Sequence, residues 1–329
     1  MNFQEFLAWS GGVHEPDVLR ACETRISAAF ADLRPPLERA SPPRTVHRCD
    51  LARAWCELRG LPPTAARGAM ICAGVRHALS LLFAHMAAAG RRLALPTDVY
   101  PVYWDLARAA GVATVGVPTF PDLAIHDVLE RATRAEVAAL VLPDPLKLHG
   151  RFLAADERAA LLAWLGRDPH RRLVLDGVYT FGQRLRPATL ELLASGQVLY
   201  LDSLSKGWLY PRVFGVAHLP PRDFDHLGPV FRAAAPPQAD LWLAARLLAE
   251  HAGLPAALAA AIDERRLRLV ADLRARGLAP FSFDRGYLVG VDGDARELLG
   301  THRVLLIPGG VFGEPKRPVA LASALPPAP

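Results

Sequence analysis

The segment at residues 199–215, LYLDSLSKGWLYPRVFG, combines residue types that could bind an anion beside a nucleophile. An apolar strand pattern leads into the hydroxyls of Ser203 and Ser205. The amine of Lys206 comes next, and Arg212 follows six residues later. Hydroxyls and a guanidinium suit a phosphate, and a lysine amine can bond covalently to a carbonyl carbon. Taken alone, the segment could also be a serine-rich turn with an exposed lysine.

A second candidate group lies upstream in the sequence LVLDGVYTFG. Asp176 directly follows a strand pattern, and Tyr179 comes three residues later. A carboxylate at a strand end can pair with a cationic ligand, or it can merely cap the turn that follows. Asp176 and Tyr179 are therefore candidate site residues.

Lys147 and His149 lie in a turn with two prolines, LPDPLKLHG. Lysine is rare in this chain, because only three of the 38 Lys and Arg residues are lysines, and Asn2 is the only asparagine. This bias reflects a GC-rich genome and indicates no function by itself. A reaction that needs a primary amine, however, cannot use a guanidinium that never loses its proton. Each lysine, including Lys316, is therefore a candidate for chemistry.

Two further candidates stand where predicted elements begin or end. In ICAGVRHALSLLF, Gly74 precedes a helix pattern, so the backbone amides of Val75 and Arg76 could face an anion. In LPTDVYPVY, Tyr100 follows a strand pattern and could offer its ring face to a ligand.

The elements that must position these residues alternate between helix and strand from about residue 64 to 220. The hydrophobic patterns predict helices over 77–89, 103–110 and 155–166, and strands over 91–95, 113–117, 137–142, 173–175 and 197–201. Such alternation is typical of a parallel sheet with helices on both faces. Ligands bind at the carboxyl ends of the strands in open sheets of this type.

The rest of the chain shows a different pattern. Residues 241–277 read as almost wholly helical, with a break at Gly253 and Pro255, and residues 34–44 read as a linker. Strand-like stretches follow at 286–291, 304–307 and 319–325, around one short helix. This predicts a separate α+β unit.

Composition excludes several classes of protein. A chain of 329 residues with 51% hydrophobic residues and a net charge of +5 is typical of a soluble globular protein with a large and a smaller domain. It has neither an apolar stretch of membrane-spanning length nor a basic leader, and the four cysteines lack metal-ligand spacing. We therefore expect reduced thiols, no metal and a cytoplasmic location. No Lys/Arg-rich run favours a nucleic-acid partner.

The order and spacing of these motifs resemble the fold-type I enzymes that use pyridoxal 5′-phosphate (PLP), and within them the class I/II aminotransferases. SLSK followed by an arginine resembles the family's Schiff-base lysine segment, and DGVY resembles its Asp-x-x-Tyr motif. DPLKLHG stands where the family has an Asn-Pro-x-Asn-Pro-Thr-Gly loop, and CAGVRHAL resembles its phosphate-binding helix start. IPGGVFG at 307–313 is similar to a small-domain turn, so the resemblance covers about residues 50–325.

The resemblance implies a role for each candidate residue. Lys206 would form the internal aldimine with PLP and then move the substrate proton, while Asp176 would keep the pyridine nitrogen protonated. Tyr179 would donate to the phenolic oxygen O3′, and Tyr100 would stack on the ring. The phosphate would be held by Ser203, Ser205, Arg212 and the amides of Val75 and Arg76 that follow Gly74.

The sequence departs from the family at three points. Lys147 replaces an asparagine that contacts O3′ in relatives, so it could stabilise a phenolate, shift the aldimine's protonation or act as a second acid or base; alternatively it is a solvent-facing loop residue. Ala320 aligns with the arginine that grips the substrate carboxylate, although a shift of three residues would offer Arg317. Arg212 follows the lysine by six residues rather than eight, and His149 replaces the loop threonine.

We therefore expect a three-layer αβα PLP-transferase large domain with a mainly parallel sheet and a small α+β C-terminal domain. The expected bounds are an N-terminal arm and part of the small domain at 1–48, the PLP-binding large domain at 49–250 and the small domain at 251–329. The expected function is a homodimeric PLP-dependent aminotransferase of specialised biosynthesis acting on a small amino compound. The alternatives are another PLP reaction (decarboxylase, lyase, cyclase or retro-aldolase) and a non-catalytic PLP-fold protein. A missing carboxylate arginine would suggest a substrate without a free carboxylate, unless another arginine substitutes.

Overall fold

The computed structural model of the chain describes residues 1–37, 40–99, 101–210, 214–281, 284–313, 315 and 317–326. The strands in chain order are β1 (Leu19–Arg20), β2 (Ala69–Cys72), β3 (Arg92–Pro96), β4 (Ala113–Val117), β5 (Ala139–Pro143), β6 (Arg172–Asp176), β7 (Val198–Ser203), β8 (Gly215–His218), β9 (Pro280–Phe281), β10 (Leu288–Asp292), β11 (Val304–Leu305), β12 (Ile307–Pro308) and β13 (Val319–Ser323).

The helices alternate with these strands through most of the chain. They are α1 (Phe3–Gly11), α2 (Ile26–Ala29), α3 (Arg48–Arg59), α4 (Val75–Ala88), α5 (Val102–Ala110), α6 (Ile125–Arg134), α7 (Ala155–Gly166), α8 (Pro187–Ala194), α9 (Leu204–Gly207), α10 (Phe224–Ala233), α11 (Gln238–Glu250), α12 (Leu254–Ala275) and α13 (Ala295–His302).

Seven strands form the main sheet in the order β2-β8-β7-β6-β5-β3-β4. The parallel pairs are β3–β4, β3–β5, β5–β6 and β6–β7, whereas β8 runs antiparallel to its neighbours β2 and β7. The strand pairing places Pro143 opposite Asp176, and Asp176 opposite Leu201. The carboxyl ends of β5, β6 and β7 therefore lie side by side, as expected for a mainly parallel α/β sheet.

Alternating side chains of the main sheet bury two separate apolar layers. Leu173 and Leu175 of β6 pack on one face with helices α3, α6, α7, α8 and α11, while Val174 packs on the other face with α4, α5 and α10. Because successive side chains of a strand point to opposite faces, a strand with apolar residues throughout is buried on both sides. The result is the predicted three-layer αβα arrangement.

The C-terminal residues form a second sheet rather than an extension of the first. Strands β12, β13, β10 and β9 make a four-stranded antiparallel sheet, and α12 packs against it. Phe6, Ile26 and Phe30 from the beginning of the chain are buried in the same apolar cluster. The pairing of β1 with β11 also joins the two ends of the chain. The domain bounds given above stay a prediction.

Helix ends follow the local sequence. The side chain of Asn2 accepts hydrogen bonds from the amides of Gln4 and Glu5 at the start of α1. Gly60 and Gly111 adopt φ of 72° and 68° directly after α3 and α5, in the left-handed region that favours glycine. The described helices include none with the length and apolarity needed to cross a membrane.

Candidate active site

A cavity of about 860 Å³ lies at the carboxyl ends of the main-sheet strands. Loops of the main sheet form one side, and Tyr287, Phe312 and the N-terminal segment form the other. The predicted site residues that line it are Gly74, Val75, Arg76, Lys147, Asp176, Tyr179, Ser203, Ser205 and Lys206. Predicted residues spread over some 130 positions of the chain thus meet in one cavity.

Asp176 is the last residue of β6 and is buried. The hydroxyl of Tyr103 donates to Oδ2 of Asp176, and the amide of Val178 donates to Oδ1 over 3.1 Å. Burial raises the pKa of Asp176 to about 6, although both hydrogen bonds oppose the rise because they stabilise the carboxylate. Burial also raises the pKa of Tyr103 well above its ordinary value, so the shared proton belongs to the tyrosine. At neutral pH, Asp176 is a carboxylate.

Lys206 lies in α9, the single turn that follows β7. Its Nζ is 5.7 Å from the centre of the Tyr179 ring. Burial and the charge of Arg76 lower the pKa of Lys206, while the charge of Asp176 opposes this effect. The surroundings of Lys206 therefore favour a neutral amine, which is the nucleophilic form.

Ser203, Ser205 and the start of α4 face the same end of the cavity. The two hydroxyl oxygens are 2.6 Å apart, and the amide of Ser205 donates to Oγ of Ser203 over 3.0 Å. Gly74 precedes α4 with φ of 111°. The first amides of a helix have no partner within it and carry partial positive charge. Hydroxyls and helix amides together could bind an anion, and we call this group the cradle (Gly74, Val75, Arg76, Ser203 and Ser205).

Close packing holds the cradle together. A Cβ atom at Gly215 would lie 2.4 Å from Cα of Gly74 and 2.7 Å from the carbonyl oxygen of Asp202. Backbone atoms cannot move aside as a flexible side chain could. A glycine at position 215 is therefore required for β8 to approach the start of α4.

Lys147 points into the cavity. Its Nζ is 4.9 Å from the ring centre of Tyr179, 5.2 Å from that of Phe312 and 5.5 Å from that of Tyr287. Burial and the charge of Lys206 lower the pKa of Lys147 to about 7, and Asp176 opposes this effect. Lys147 is thus a second amine of the cavity rather than a solvent-facing loop residue.

His149 ties the loop that carries Lys147 to its neighbour. Its Nε2 lies 2.6 Å from the carbonyl oxygen of Thr119, and since that oxygen only accepts, Nε2 carries the proton. Burial lowers the pKa of His149 to about 4, so the ring is neutral. The imidazole therefore positions the loop without adding charge.

The C-terminal sheet presents no arginine to the cavity at the two positions considered. Ala320 is fully buried in β13, between Val291 and Pro308 of the neighbouring strands. Arg317 lies outside the cavity lining, with Nη1 2.7 Å from Oδ1 of Asp292.

Two groups were missed by sequence reasoning. Tyr103 was interpreted only as the start of a helix, although its position three residues after Tyr100 placed it near the same strand end. A buried network beneath the cradle was also missed: Asp202 accepts from Trp55 over 2.7 Å and lies 2.9 Å from Arg59. These partners lie more than 140 positions apart, and the sequence carries no local signal for them.

Three predicted residues, Tyr100, Arg212 and Lys316, lie outside the described residues. Within the described part of the chain, His, Cys, Asp and Glu side chains form no group of three or more that could hold a metal ion.

Comparison with known proteins identifies the fold. No protein-family model matches the chain, and no curated protein sequence is significantly similar to it. An aromatic aminotransferase structure from Pyrococcus horikoshii matches with a TM-score of 0.71 at 17% identity, over 98% of this chain and 94% of that one. N-succinyldiaminopimelate aminotransferase from Mycobacterium tuberculosis matches with a TM-score of 0.69 at 21% identity, over 98% and 92% of the two chains.

A Corynebacterium diphtheriae protein described as a PLP-dependent β-cystathionase matches equally well, with a TM-score of 0.71 at 16% identity over 98% and 93% of the chains. Identities in this range establish the fold, and two reaction types occur on it. The chain therefore has the fold of the class I/II aminotransferases, within fold type I of the PLP-dependent enzymes.

Proposed function

We propose that the protein is a PLP-dependent enzyme of the aminotransferase type that acts on a small amino compound. The observation that carries the proposal is the meeting of Lys206, Asp176 and the cradle in one cavity. Each of these groups matches a different part of PLP: an amine for the aldehyde, a carboxylate for the ring nitrogen and an anion site for the phosphate. The fold of the chain supports the same cofactor.

The donor set fits the cofactor chemically. Asp176 is buried and ionised at neutral pH, so it can pair with a protonated ring nitrogen. The amides of α4 with the hydroxyls of Ser203 and Ser205 suit a phosphate dianion. When bound, the cofactor supplies an electron-withdrawing ring that stabilises negative charge on the carbon beside the substrate's amine.

Lys206 has two tasks in this proposal. Burial lowers its pKa and so favours the neutral amine that would bond to the cofactor's aldehyde carbon. The amine of Lys206 could also accept the proton of the carbon beside the substrate's amine. Burial serves both tasks because it disfavours the ammonium form.

Asp176, Tyr179 and Lys147 complete the proposed catalytic set. Asp176 would hold the ring nitrogen in its protonated form, and Tyr179 would donate a hydrogen bond to the phenolic oxygen of the cofactor. Lys147 contributes a second amine at the loop that faces the cofactor. Tyr100 as a stacking residue and Arg212 as a phosphate ligand stay predictions, and so do a homodimeric state, a cytoplasmic location and a biosynthetic role.

A second PLP reaction is the alternative function. A β-cystathionase cleaves its substrate on this fold, and Ala320 lacks the guanidinium that would fix how a carboxylate lies. The bond that breaks in PLP enzymes is the one held perpendicular to the ring. Reaction products separate the two functions: a transaminase yields a ketone and the amine form of the cofactor, whereas a lyase or decarboxylase releases ammonia or CO2.

Covalent trapping tests the proposal. Borohydride added to the PLP-loaded protein should reduce the lysine–cofactor bond, and peptide mass spectrometry should find the cofactor on Lys206. Lys206→Ala should bind no reducible cofactor, and Lys206→Arg should also fail because a guanidinium is not nucleophilic. Attachment of the cofactor elsewhere in the wild-type protein would refute the assignment. A panel of amines, with ketone, CO2 and ammonia scored separately, then identifies the reaction.

A further inference from the structure

The cavity contains a second chemically distinct group besides the cradle. The ring centres of Tyr179, Tyr287 and Phe312 lie 4.9 to 5.5 Å from Nζ of Lys147, and we call these three rings the aromatic box. Tyr179 comes from the loop after β6, whereas Tyr287 and Phe312 belong to the C-terminal part of the chain. Nζ of Lys147 therefore lies near rings from both parts of the chain.

The other described cations of the cavity wall have separate tasks. Arg20 donates to the carbonyl oxygens of Val13 and Ser10, and Arg25 pairs with Glu23. Arg76 is the second residue of α4 and belongs to the cradle. Among the described wall residues, Lys147 is thus the cation within 5.5 Å of all three ring centres of the aromatic box, and Lys206 lies 5.7 Å from the ring centre of Tyr179.

An ammonium in such surroundings is well suited to bind an anion. Aromatic faces stabilise the cation but replace the water that would otherwise screen it. An anion that enters the box meets a positive charge in a medium of low polarity, where a charged hydrogen bond contributes about 1.5 to 3 kcal/mol. Neither of the two positions that the family alignment offers supplies a competing guanidinium, since Ala320 is buried in β13 and Arg317 pairs with Asp292.

We propose that Lys147 is a specificity-determining residue that binds the carboxylate of an amino-acid substrate, with the apolar part of that substrate packed against the aromatic box. The inference rests on the proposed function, in which Lys206 and the cofactor engage the substrate amine. It reverses the sequence-based suggestion that the substrate lacks a carboxylate. The buried Ala320 is then compensated by a lysine from a different loop.

Binding of an unreactive pair of compounds tests the inference. We would titrate the PLP-loaded protein with 3-phenylpropionate and with 3-phenylpropanamide by calorimetry, so that the cradle is occupied and no reaction occurs. The carboxylate should bind about ten- to a hundredfold more tightly than the amide. Lys147→Met should remove the preference for the carboxylate, so that the carboxylate and the amide bind about equally tightly. A preference for the carboxylate that survives in Lys147→Met would overturn the inference.

The pH dependence gives a second readout. The ionisable groups that face Lys147 are Lys206, Asp176 and the phenols of Tyr179 and Tyr287. Carboxylate binding needs the ammonium form, so affinity should fall up to tenfold per pH unit above the pKa of Lys147. Lys147→Arg cannot lose its proton and should show constant affinity over the same range. If carboxylate affinity changed with pH in the same way for the wild type and Lys147→Arg, the inference would be contradicted even if Lys147→Met failed to fold.

Arg317→Met is the matched control. A shift of three residues in the family alignment would offer Arg317 as the carboxylate-binding arginine, but Arg317 lies outside the cavity. Its loss should therefore leave the affinities for the carboxylate and the amide unchanged. Loss of carboxylate binding in Arg317→Met would overturn the inference. Visible absorbance of the bound cofactor, measured for every variant, separates the two proposals. If the wild type shows none, the proposed function fails; if Lys147→Met keeps the absorbance and the carboxylate preference, only the present inference fails.

Discussion

A single phenol controls the charge of the carboxylate at the floor of the cavity. Tyr103 donates to Asp176, and this bond limits the rise in pKa that burial causes. In the proposed function, Asp176 must be ionised to pair with the cofactor's ring nitrogen. Tyr103 is therefore a positioning residue that keeps Asp176 charged at neutral pH.

Replacing Tyr103→Phe should raise the pKa of Asp176. A hydrogen bond to a charged group contributes about 1.5 to 3 kcal/mol, which corresponds to about one to two pKa units. Starting from about 6, Asp176 would become protonated around neutral pH. Cofactor affinity falls on the acidic side of the pH profile, and the midpoint of this fall should move to higher pH. A pH titration of cofactor absorbance would show the change.

Tyr200→Phe is the control for this change. The hydroxyl of Tyr200 accepts from Arg59 over 3.0 Å, and no bond from it to Asp176 is present among the described contacts. Its loss should lower stability without moving the midpoint. An unchanged midpoint in Tyr103→Phe would show that the phenol does not control Asp176.

Lys206 and Lys147 were predicted because lysine is rare in this composition, and Asp176 was predicted because it directly follows a strand pattern. The effect of Tyr103 could not be predicted in this way. It depends on where the first turn of α5 places a hydroxyl relative to a carboxylate 73 positions away. Arg59 was missed for the same reason, since its partner Asp202 belongs to a distant strand.

At the scale of elements, the anion site depends on how closely β8 approaches the start of α4. Gly215 allows a contact that any Cβ would prevent. A helix start binds phosphate only if its first amides point at the ligand, so this backbone contact fixes the direction of the cradle.

Replacing Gly215→Ala should therefore weaken phosphate binding. The added methyl group would push α4 away from β8, and overpacking of this kind costs about 1 to 3 kcal/mol. Equilibrium dialysis should show PLP affinity reduced by about tenfold or more. Gly300→Ala is the control, because a Cβ at Gly300 in α13 would meet nothing within 4 Å. Equal affinities in the two variants would refute this account of the cradle.

Most elements could be predicted because their signals are local. The strand at 113–117 and the helix at 155–166 have the bounds that their hydrophobic patterns predicted. The short strands β2 and β8 were not among the predicted strands. Each has four residues, and their pairing joins segments about 145 positions apart. Such contacts leave no pattern within a single window of sequence.

At the scale of the whole molecule, the beginning of the chain is part of the C-terminal core. Phe6 is 1% exposed and contributes both to that core and to the cavity wall. The main sheet has its own two apolar layers. The two parts of the molecule can therefore differ in stability.

Replacing Phe6→Ala should destabilise the C-terminal sheet selectively. Removing a buried phenylalanine costs about 3 to 5 kcal/mol through lost contacts and the cavity left behind. Hydrogen exchange should become faster in β10 and β13, while exchange in β5 and β6 should stay unchanged. Leu7→Ala, at a residue that is 45% exposed, should change neither region. An equal increase in all four strands would show that the molecule unfolds as one unit.

The joining of the two chain ends also sets an order of events during synthesis. The apolar side chains of α1 and α2 leave the ribosome long before their partners in β10 to β13 are made. Translation adds about 5 to 20 residues per second, so the time between the synthesis of α1 and α2 and that of β10 to β13 is on the order of 15 to 60 s. During that time the main sheet can fold while Phe6, Ile26 and Phe30 stay uncovered. The nascent chain should therefore bind general chaperones through residues 1–30 until β10 to β13 have been made.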